Sequence, residues 1–208
     1  AMQFGSIIHK LLLEPDSFND DYAVFEGARR AGKEWQAFKA NNENKQIIKL
    51  SELDDANEIA NNAMNNPIFN KLMQNKLHTE KEVRWNHAGV NFKGFVDLES
   101  YLDGKTIVCD IKTTTDAGKR FQRDLIYNDY KMQAAMYLEN YDNADYYIIA
   151  VETTSPYNVQ VYKLGLNLIK KGETEYHNLV DKYNNWNGEP VGYGDDIIEI
   201  EVEEQILI

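Results

Sequence analysis

The stretch Thr106-Ile107-Val108-Cys109-Asp110-Ile111-Lys112-Thr113-Thr114 decides the reading of this chain, because an acid and a lysine flank one apolar residue inside an apolar run. The run is rich in β-branched residues and opens after the turn signal Asp103-Gly104, so it is expected to be a strand. Alternate side chains of a strand share a face, which points Asp110 and Lys112 one way and Ile111 into the opposite layer. A carboxylate and an ammonium on a buried face are costly unless they are paired or bind something. Upstream, Phe92-Lys93-Gly94-Phe95-Val96-Asp97-Leu98 places a second acid in a similar setting. Two acids and a lysine converging from adjacent strands make a divalent-metal site with a charged neighbour, the equipment for hydrolysing phosphodiester bonds.

The pattern acid-x-Lys is not informative by itself, since it occurs four times. Glu43-Asn44-Lys45, Asp103-Gly104-Lys105 and Asp129-Tyr130-Lys131 lie in polar or turn-like surroundings, where a solvated surface explains them. Only Asp110 and Lys112 lie in an apolar strand with another acid at the end of the preceding one. On these residues alone, a metal-dependent site and a structural ion pair both remain open.

The chain has 208 residues, enough for one domain with a sizeable core, and its 12% aromatic content with 13 Tyr fits a globular protein. A single cysteine, Cys109, excludes an internal disulfide and any iron–sulfur or zinc site held by several cysteines of this chain. No apolar run approaches the roughly 18 residues a membrane span needs, and no signal peptide is visible, so a cytoplasmic location is expected. The net charge of −12 argues against tight, non-specific coating of nucleic acid. Its distribution matters: residues 189–208 hold seven acids and no Lys or Arg, leaving −5 on residues 1–188. A metal site also gathers carboxylates that the bound ions neutralise. An enzyme that takes DNA in one local groove is therefore compatible with the charge.

Along the chain, residues 5–13 read as an amphipathic helix stopped at Glu14-Pro15. Residues 26–42 read as a second helix, with Trp35 and Phe38 on one side. Residues 51–65 read as a third, with Ser51 as N-cap and Asp54 three positions on, and Pro67 opens a fourth through about Lys76. Residues 80–86 and 91–99, joined by Asn86-His87-Ala88-Gly89, read as a hairpin followed by the Asp110 strand. Helices at 116–127 and 128–141, strands at 145–152 and 158–164, and a long helix at 166–186 follow. The tail from Ile197 to Ile208 alternates acids with Ile and Val, as a strand with one wet face does. This order predicts a mixed α/β domain over residues 1–186, a central sheet flanked by helices, with an acidic strand-like tail at 187–208.

Gly5-Ser6-Ile7-Ile8-His9, Glu80 with Trp85, Gly94-Phe95-Val96-Asp97, Asp110-Ile111-Lys112-Thr113 and Gln133-Ala134-Ala135-Met136-Tyr137 occur in an order and spacing that resembles the PD-(D/E)XK nucleases. More narrowly, they look like the exonuclease VIII (RecE-type) branch of phages and prophages. The likeness runs from Ala1 to Trp186, and Ala1-Met2-Gln3-Phe4-Gly5 reads like mid-protein sequence, so the chain is expected to start inside the family's domain. The resemblance implies a restriction-endonuclease-like core. It makes Asp97 and Asp110 ligands for Mg²⁺ or Mn²⁺, joined by Glu80, His9 and the backbone carbonyl of Ile111. Lys112 is implied beside the attacking water, and Gln133 and Tyr137, on one helix face, at the edge of the site and touching DNA or Lys112. Glu82, two residues from Glu80, is the rival for the upstream acid. Arg29, Arg30, Lys33 and Trp35 are similar to a family stretch expected to contact a DNA end, with a solvated basic face as the alternative; Arg120 and Arg123 are weaker candidates.

By this resemblance the chain is an exodeoxyribonuclease that digests one strand of linear double-stranded DNA from its 5′ end during phage or prophage recombination. A single-strand annealing protein is its implied partner, and a homo-oligomeric ring its implied assembly. An endonuclease of the same superfamily and a non-catalytic DNA-binding module of the same fold are the alternatives. A helicase-linked nuclease with a cysteine cluster is disfavoured by the single cysteine and the lack of a P-loop signature.

Overall fold

Helical periodicity gives way to alternation near Gln74, and the computed structural model, which describes residues 2–189, is helical before that point and builds its main sheet after it. The first part comprises α1 (Met2–Leu13), a 3-10 turn (Pro15–Ser17), the single turn α2 (Phe18–Asp21), β1 (Tyr22–Phe25), α3 (Gly32–Asn41), β2 (Gln46–Lys49), α4 (Leu50–Asn65) and α5 (Pro67–Gln74). The second part runs β3 (Lys76–His87), β4 (Val90–Leu102), β5 (Lys105–Thr114), α6 (Lys119–Tyr127), α7 (Tyr130–Leu138), β6 (Ala144–Glu152), β7 (Val159–Lys163) and α8 (Leu166–Asn184).

Strands β3 to β7 form one mixed sheet in sequence order. All its neighbours are antiparallel except β5 and β6, which are parallel and joined through α6 and α7. Strand parity sorts the core as the period-2 rule demands. Ile107, Cys109 and Ile111 pack with Ile7 and Ile8 of α1 and Ile59 of α4 on one face. Val108, Ile148 and Ala150 pack with Phe121 of α6 and Ala134 of α7 on the other. The domain is thus a sheet covered by helices on both faces, as its pattern of elements predicts. Cys109 faces the α1 layer, fully buried, and burial pushes its thiol far above the ordinary range, so it is an inert packing residue.

Helix α7 is held against α8 by Gly172, where an added Cβ would lie 2.1 Å from the Lys131 carbonyl oxygen. Lys131 itself corrects an expectation. It is 5% exposed and paired with Glu175 at 3.0 Å, not solvated, because α8 folds over the face that sequence alone leaves open.

The expected helix over 26–42 begins only at Gly32, whose φ is +85°, and a separate parallel two-stranded sheet of β1 and β2 brackets it. Four-residue strands are too short to display alternation, and their pairing is non-local, so this sheet had no sequence signature. Trp35 and Phe38 do share a side: their ring centroids lie 5.1 and 5.2 Å from that of Phe25. Helix α4 starts at Leu50 rather than after Ser51; the Glu52 carboxylate accepts from the Lys49 backbone N–H at 2.7 Å, the task expected of Asp54 relative to Ser51. Helix α5 is capped by Asn66, whose side chain accepts from the N–H groups of Ile68 and Phe69, and it ends at Gln74. The hairpin strands are longer than expected at both ends. The tail strand from Ile197 to Ile208 lies outside the described residues.

Candidate active site

The backbone ladder between β4 and β5 runs from Leu102–Lys105 to Leu98–Cys109. Beyond it the Asp97 side chain takes over, its Oδ2 accepting from the Ile111 N–H at 2.6 Å. The pleat is broken at this residue: Val96 and Leu98, two apart, belong to opposite cores. Across the strand pair, Glu80 sits between the pairs Thr79–Leu98 and Lys81–Val96 with φ +48°, a left-handed conformation that costs a non-glycine residue free energy. The kink sends the two upstream acids to different places. Glu80 turns into the cleft, where its carboxylate, His9 and Asp97 bring ligand atoms within 4.8 Å of one another. Glu82 is exposed and bonded to Arg84 and to Lys93 at 2.9 Å.

Asp110 and Lys112 share a face, as parity requires. Lys112 Nζ donates to Asp110 Oδ1 at 2.9 Å, and Gln133 Nε2 of α7 donates to the same oxygen at 2.9 Å. Asp110 Oδ2 is buried and accepts no hydrogen bond among the described residues, although the Lys112 ammonium lies 2.9 Å away, off the bonding direction. The Tyr130 ring covers the ammonium, with Nζ 5.4 Å from its centroid. Tyr137 belongs half to the core, edge-on to Trp85 at 6.3 Å, and half to the cleft wall.

Helix α1 delivers His9 from the opposite layer. Gly5 permits the approach, since a Cβ there would meet Thr113 Oγ1 at 3.0 Å. His9 Nε2 lies 2.7 Å from the Ile111 carbonyl oxygen, an acceptor, so that nitrogen carries the proton. Nδ1 is then a lone pair, 3.8 Å from Asp97 Oδ2. Burial lowers the His9 pKa below its ordinary value, which favours this neutral form.

The electrostatics are those of a site with more negative charge than its own cations balance. Burial, with the Asp110 charge second, pushes the Asp97 carboxyl up to about 8. Burial, reinforced by Glu14, raises that of Glu80. For Lys112, burial alone would lower the pKa, but the charge and hydrogen bond of Asp110 outweigh it and hold the ammonium above its ordinary value. A divalent cation fits these residues: hard carboxylate oxygens from Asp97 and Glu80, the His9 lone pair, and the orphaned Asp110 Oδ2 line one cleft of about 1100 Å³.

That cleft contains His9, Glu80, Asp97, Asp110, Ile111, Lys112, Gln133 and Tyr137, all expected from the sequence. Arg29, Arg30, Lys33 and Trp35 lie outside its lining. Arg30 donates to Glu52 at 2.6 Å and to the Ile47 carbonyl, tying β2 and α4 together, and Trp35 packs on Phe25. Arg120 and Arg123 are exposed on α6. Sequence reasoning missed Lys10, held by Glu14 at 3.0 Å and Asp21 at 2.6 Å, and Lys45, both of which line the cleft. The only available signals were the adjacency of Lys10 to His9 and the acid-x-Lys of residues 43–45, which reads as solvated surface.

A mixed five-stranded sheet between helix layers, with an acid inside one strand and an acid–lysine pair on the next, defines the PD-(D/E)XK class of fold. Residues 1–190 match the family described as a "PDDEXK-like domain of unknown function (DUF3799)", and the chain belongs to that family. The fold is similar to that of a solved protein from Eubacterium rectale described as a "Putative exonuclease". The two share 14% identity at a TM-score of 0.58, over 98% of this chain and 77% of that one. A second solved structure, described as SSO0001, aligns over 49% of this chain and 50% of its own at 22% identity and a TM-score of 0.32, too low to carry an argument. No curated protein sequence matches the chain.

Proposed function

We propose that this domain is a metal-dependent deoxyribonuclease that acts as an exonuclease on linear double-stranded DNA. The observation that carries the reading is the convergence of Asp97, Asp110 and Lys112, with a buried Asp110 oxygen that accepts no hydrogen bond among the described residues. Asp97, Glu80, His9 Nδ1 and Asp110 Oδ2 are the groups that would hold Mg²⁺ or Mn²⁺, with the Ile111 carbonyl beside them. A bound divalent cation supplies Lewis-acid activation of the phosphate and an acidified water. The protein's own part is positional and electrostatic. Gln133 and Lys112 fix the Asp110 carboxylate, His9 fixes the Ile111 carbonyl, and the Lys112 ammonium stabilises the charge that develops on the phosphate oxygens.

The finer features rest on the resemblance to the exonuclease VIII branch: 5′ to 3′ digestion, a single-strand annealing partner, a ring assembly and a role in prophage recombination. Exposed Arg29 and Lys33 are the proposed contacts to a DNA end; Arg30 is the weakest of that group, since Glu52 already meets its charge. The test is Mg²⁺-dependent release of nucleotides from linear duplex labelled at either 5′ or 3′ ends, beside a closed circle. The expected result is release from linear duplex only, with the 5′ label lost first. Cleavage of the closed circle would make it an endonuclease. Metal binding without cleavage of either substrate would reject the enzymatic reading.

A further inference from the structure

We propose a second metal site, separate from the cleft, built from His87, Glu139 and His177 and suited to a borderline transition-metal ion such as Zn²⁺. The three residues come from three elements: His87 ends β3, Glu139 follows the last turn of α7, and His177 lies on α8. Their ligand atoms lie within 4.8 Å of one another. One oxygen, Glu139 Oε1, lies 2.8 Å from His87 Nδ1 and 3.6 Å from His177 Nε2. Tetrahedral zinc bonds of about 2.0–2.1 Å set donor atoms about 3.4 Å apart, so the 2.8 Å His87–Glu139 contact must widen and the two stacked rings must turn for their lone pairs to converge on an ion.

An ion pair between His87 and Glu139 leaves one part of the cluster unexplained. Among the described residues His177 Nε2 is buried and has no hydrogen-bond partner, while its ring is stacked on that of His87 at 4.2 Å between centroids. A buried ring nitrogen without a partner is costly, and a cation bound jointly by the three residues removes the cost. The surroundings hold the donors in place. Tyr176 Oη donates to Glu139 Oε2 at 3.2 Å and accepts from Trp85 Nε1 at 3.0 Å. Asn184 Nδ2 donates to the Ala88 carbonyl at 3.0 Å, pinning the hairpin tip to α8. Such outer hydrogen bonds orient ligating side chains in metal sites.

The donor set states the ligand chemistry. Two imidazoles and one carboxylate favour Zn²⁺, Co²⁺ or Ni²⁺ over the hard Mg²⁺, and three protein ligands leave one position for water. The site lies roughly 23 Å along β3 from Glu80, counted at about 3.3 Å per residue, so it does not touch the chemistry of the cleft. An ion there ties the β3–β4 tip, the end of α7 and α8 into one unit.

Calorimetric titration of Zn²⁺ into the full chain, in excess Mg²⁺, tests the proposal, with thermal unfolding in parallel. The wild type and Asp97→Asn are expected to bind one Zn²⁺ outside the cleft and to melt higher with it. His177→Gln and Glu139→Gln are expected to lose both effects, and Tyr176→Phe to bind about 10-fold more weakly. Glu139 is exposed, so Glu139→Gln keeps the fold if His177→Gln does not. Zinc binding that survives both substitutions, zinc binding abolished by Asp97→Asn, or no zinc binding by the wild type would each overturn it.

Discussion

At the scale of single residues, Lys112 and Glu80 carry the sharpest consequences. The Lys112 ammonium is held charged by Asp110 and covered by Tyr130, a setting for stabilising developing negative charge rather than for accepting a proton. Lys112→Ala should therefore lower cleavage by about 10²–10³ while leaving folding and metal binding in place, as single-turnover rates and calorimetry would show. Near-normal turnover would make the lysine structural. Glu80 combines a left-handed backbone with a half-buried carboxyl whose pKa burial raises, two unfavourable features at one position. Asn tolerates that backbone and carries no charge. Glu80→Asn should thus stabilise the metal-free protein, by about 1 kcal/mol, and weaken Mg²⁺ binding. A loss of metal-free stability on thermal or urea unfolding would contradict this account of the kink.

At the scale of elements, the packing of α7 depends on two glycines. Over Gly94 of β4 lies the Tyr137 ring of α7, and an added Cβ would meet Cε1 at 2.4 Å. This contact links two motifs that sequence shows only as separate signals. Gly94→Ala should cost about 1–3 kcal/mol by overpacking, and Gly94→Ala with Tyr137→Ala should cost less than the sum of the single changes, because both act on one contact. Strict additivity in urea unfolding would show that the ring moves aside freely. Gly172→Ala opposes backbone rather than a movable ring, at 2.1 Å from the Lys131 carbonyl, so it should be the more destabilising glycine change. Equal costs for the two would contradict the rigid α7–α8 seam.

At the scale of the whole molecule, the buried acids couple stability to pH and to metal. Asp97 has an ordinary pKa near 3.8 when unfolded and one raised to about 8 when folded. Between those values the folded chain holds a proton that the unfolded chain has lost, so folding stability falls as pH rises across this window. Mg²⁺ binds the deprotonated carboxylate and offsets that loss. The rise in melting temperature on adding Mg²⁺ should therefore be larger at pH 8 than at pH 5, and a rise independent of pH would show that Asp97 does not hold the ion. Among the described residues no helix is long and apolar enough to cross a membrane, which matches the hydropathy of the sequence.

What the sequence determined alone was the local physics: the apolar run through Asp110, the period-2 parity that aligns Lys112 with it, and the prolines that bound α1 and α5. These are properties of neighbours in the chain, so composition and spacing reveal them. Parity also explains why Asp110 and Ile111 fall in opposite layers. It failed at Glu80 and Glu82, because one residue with positive φ breaks the alternation that parity assumes. Lys131 failed for a different reason, its burial resting on α8, far along the chain. The two four-residue strands, the Lys10 and Lys45 wall of the cleft, and the meeting of His87, Glu139 and His177 are non-local pairings. Only tertiary structure decided them, since no window of sequence contains both partners of such a contact.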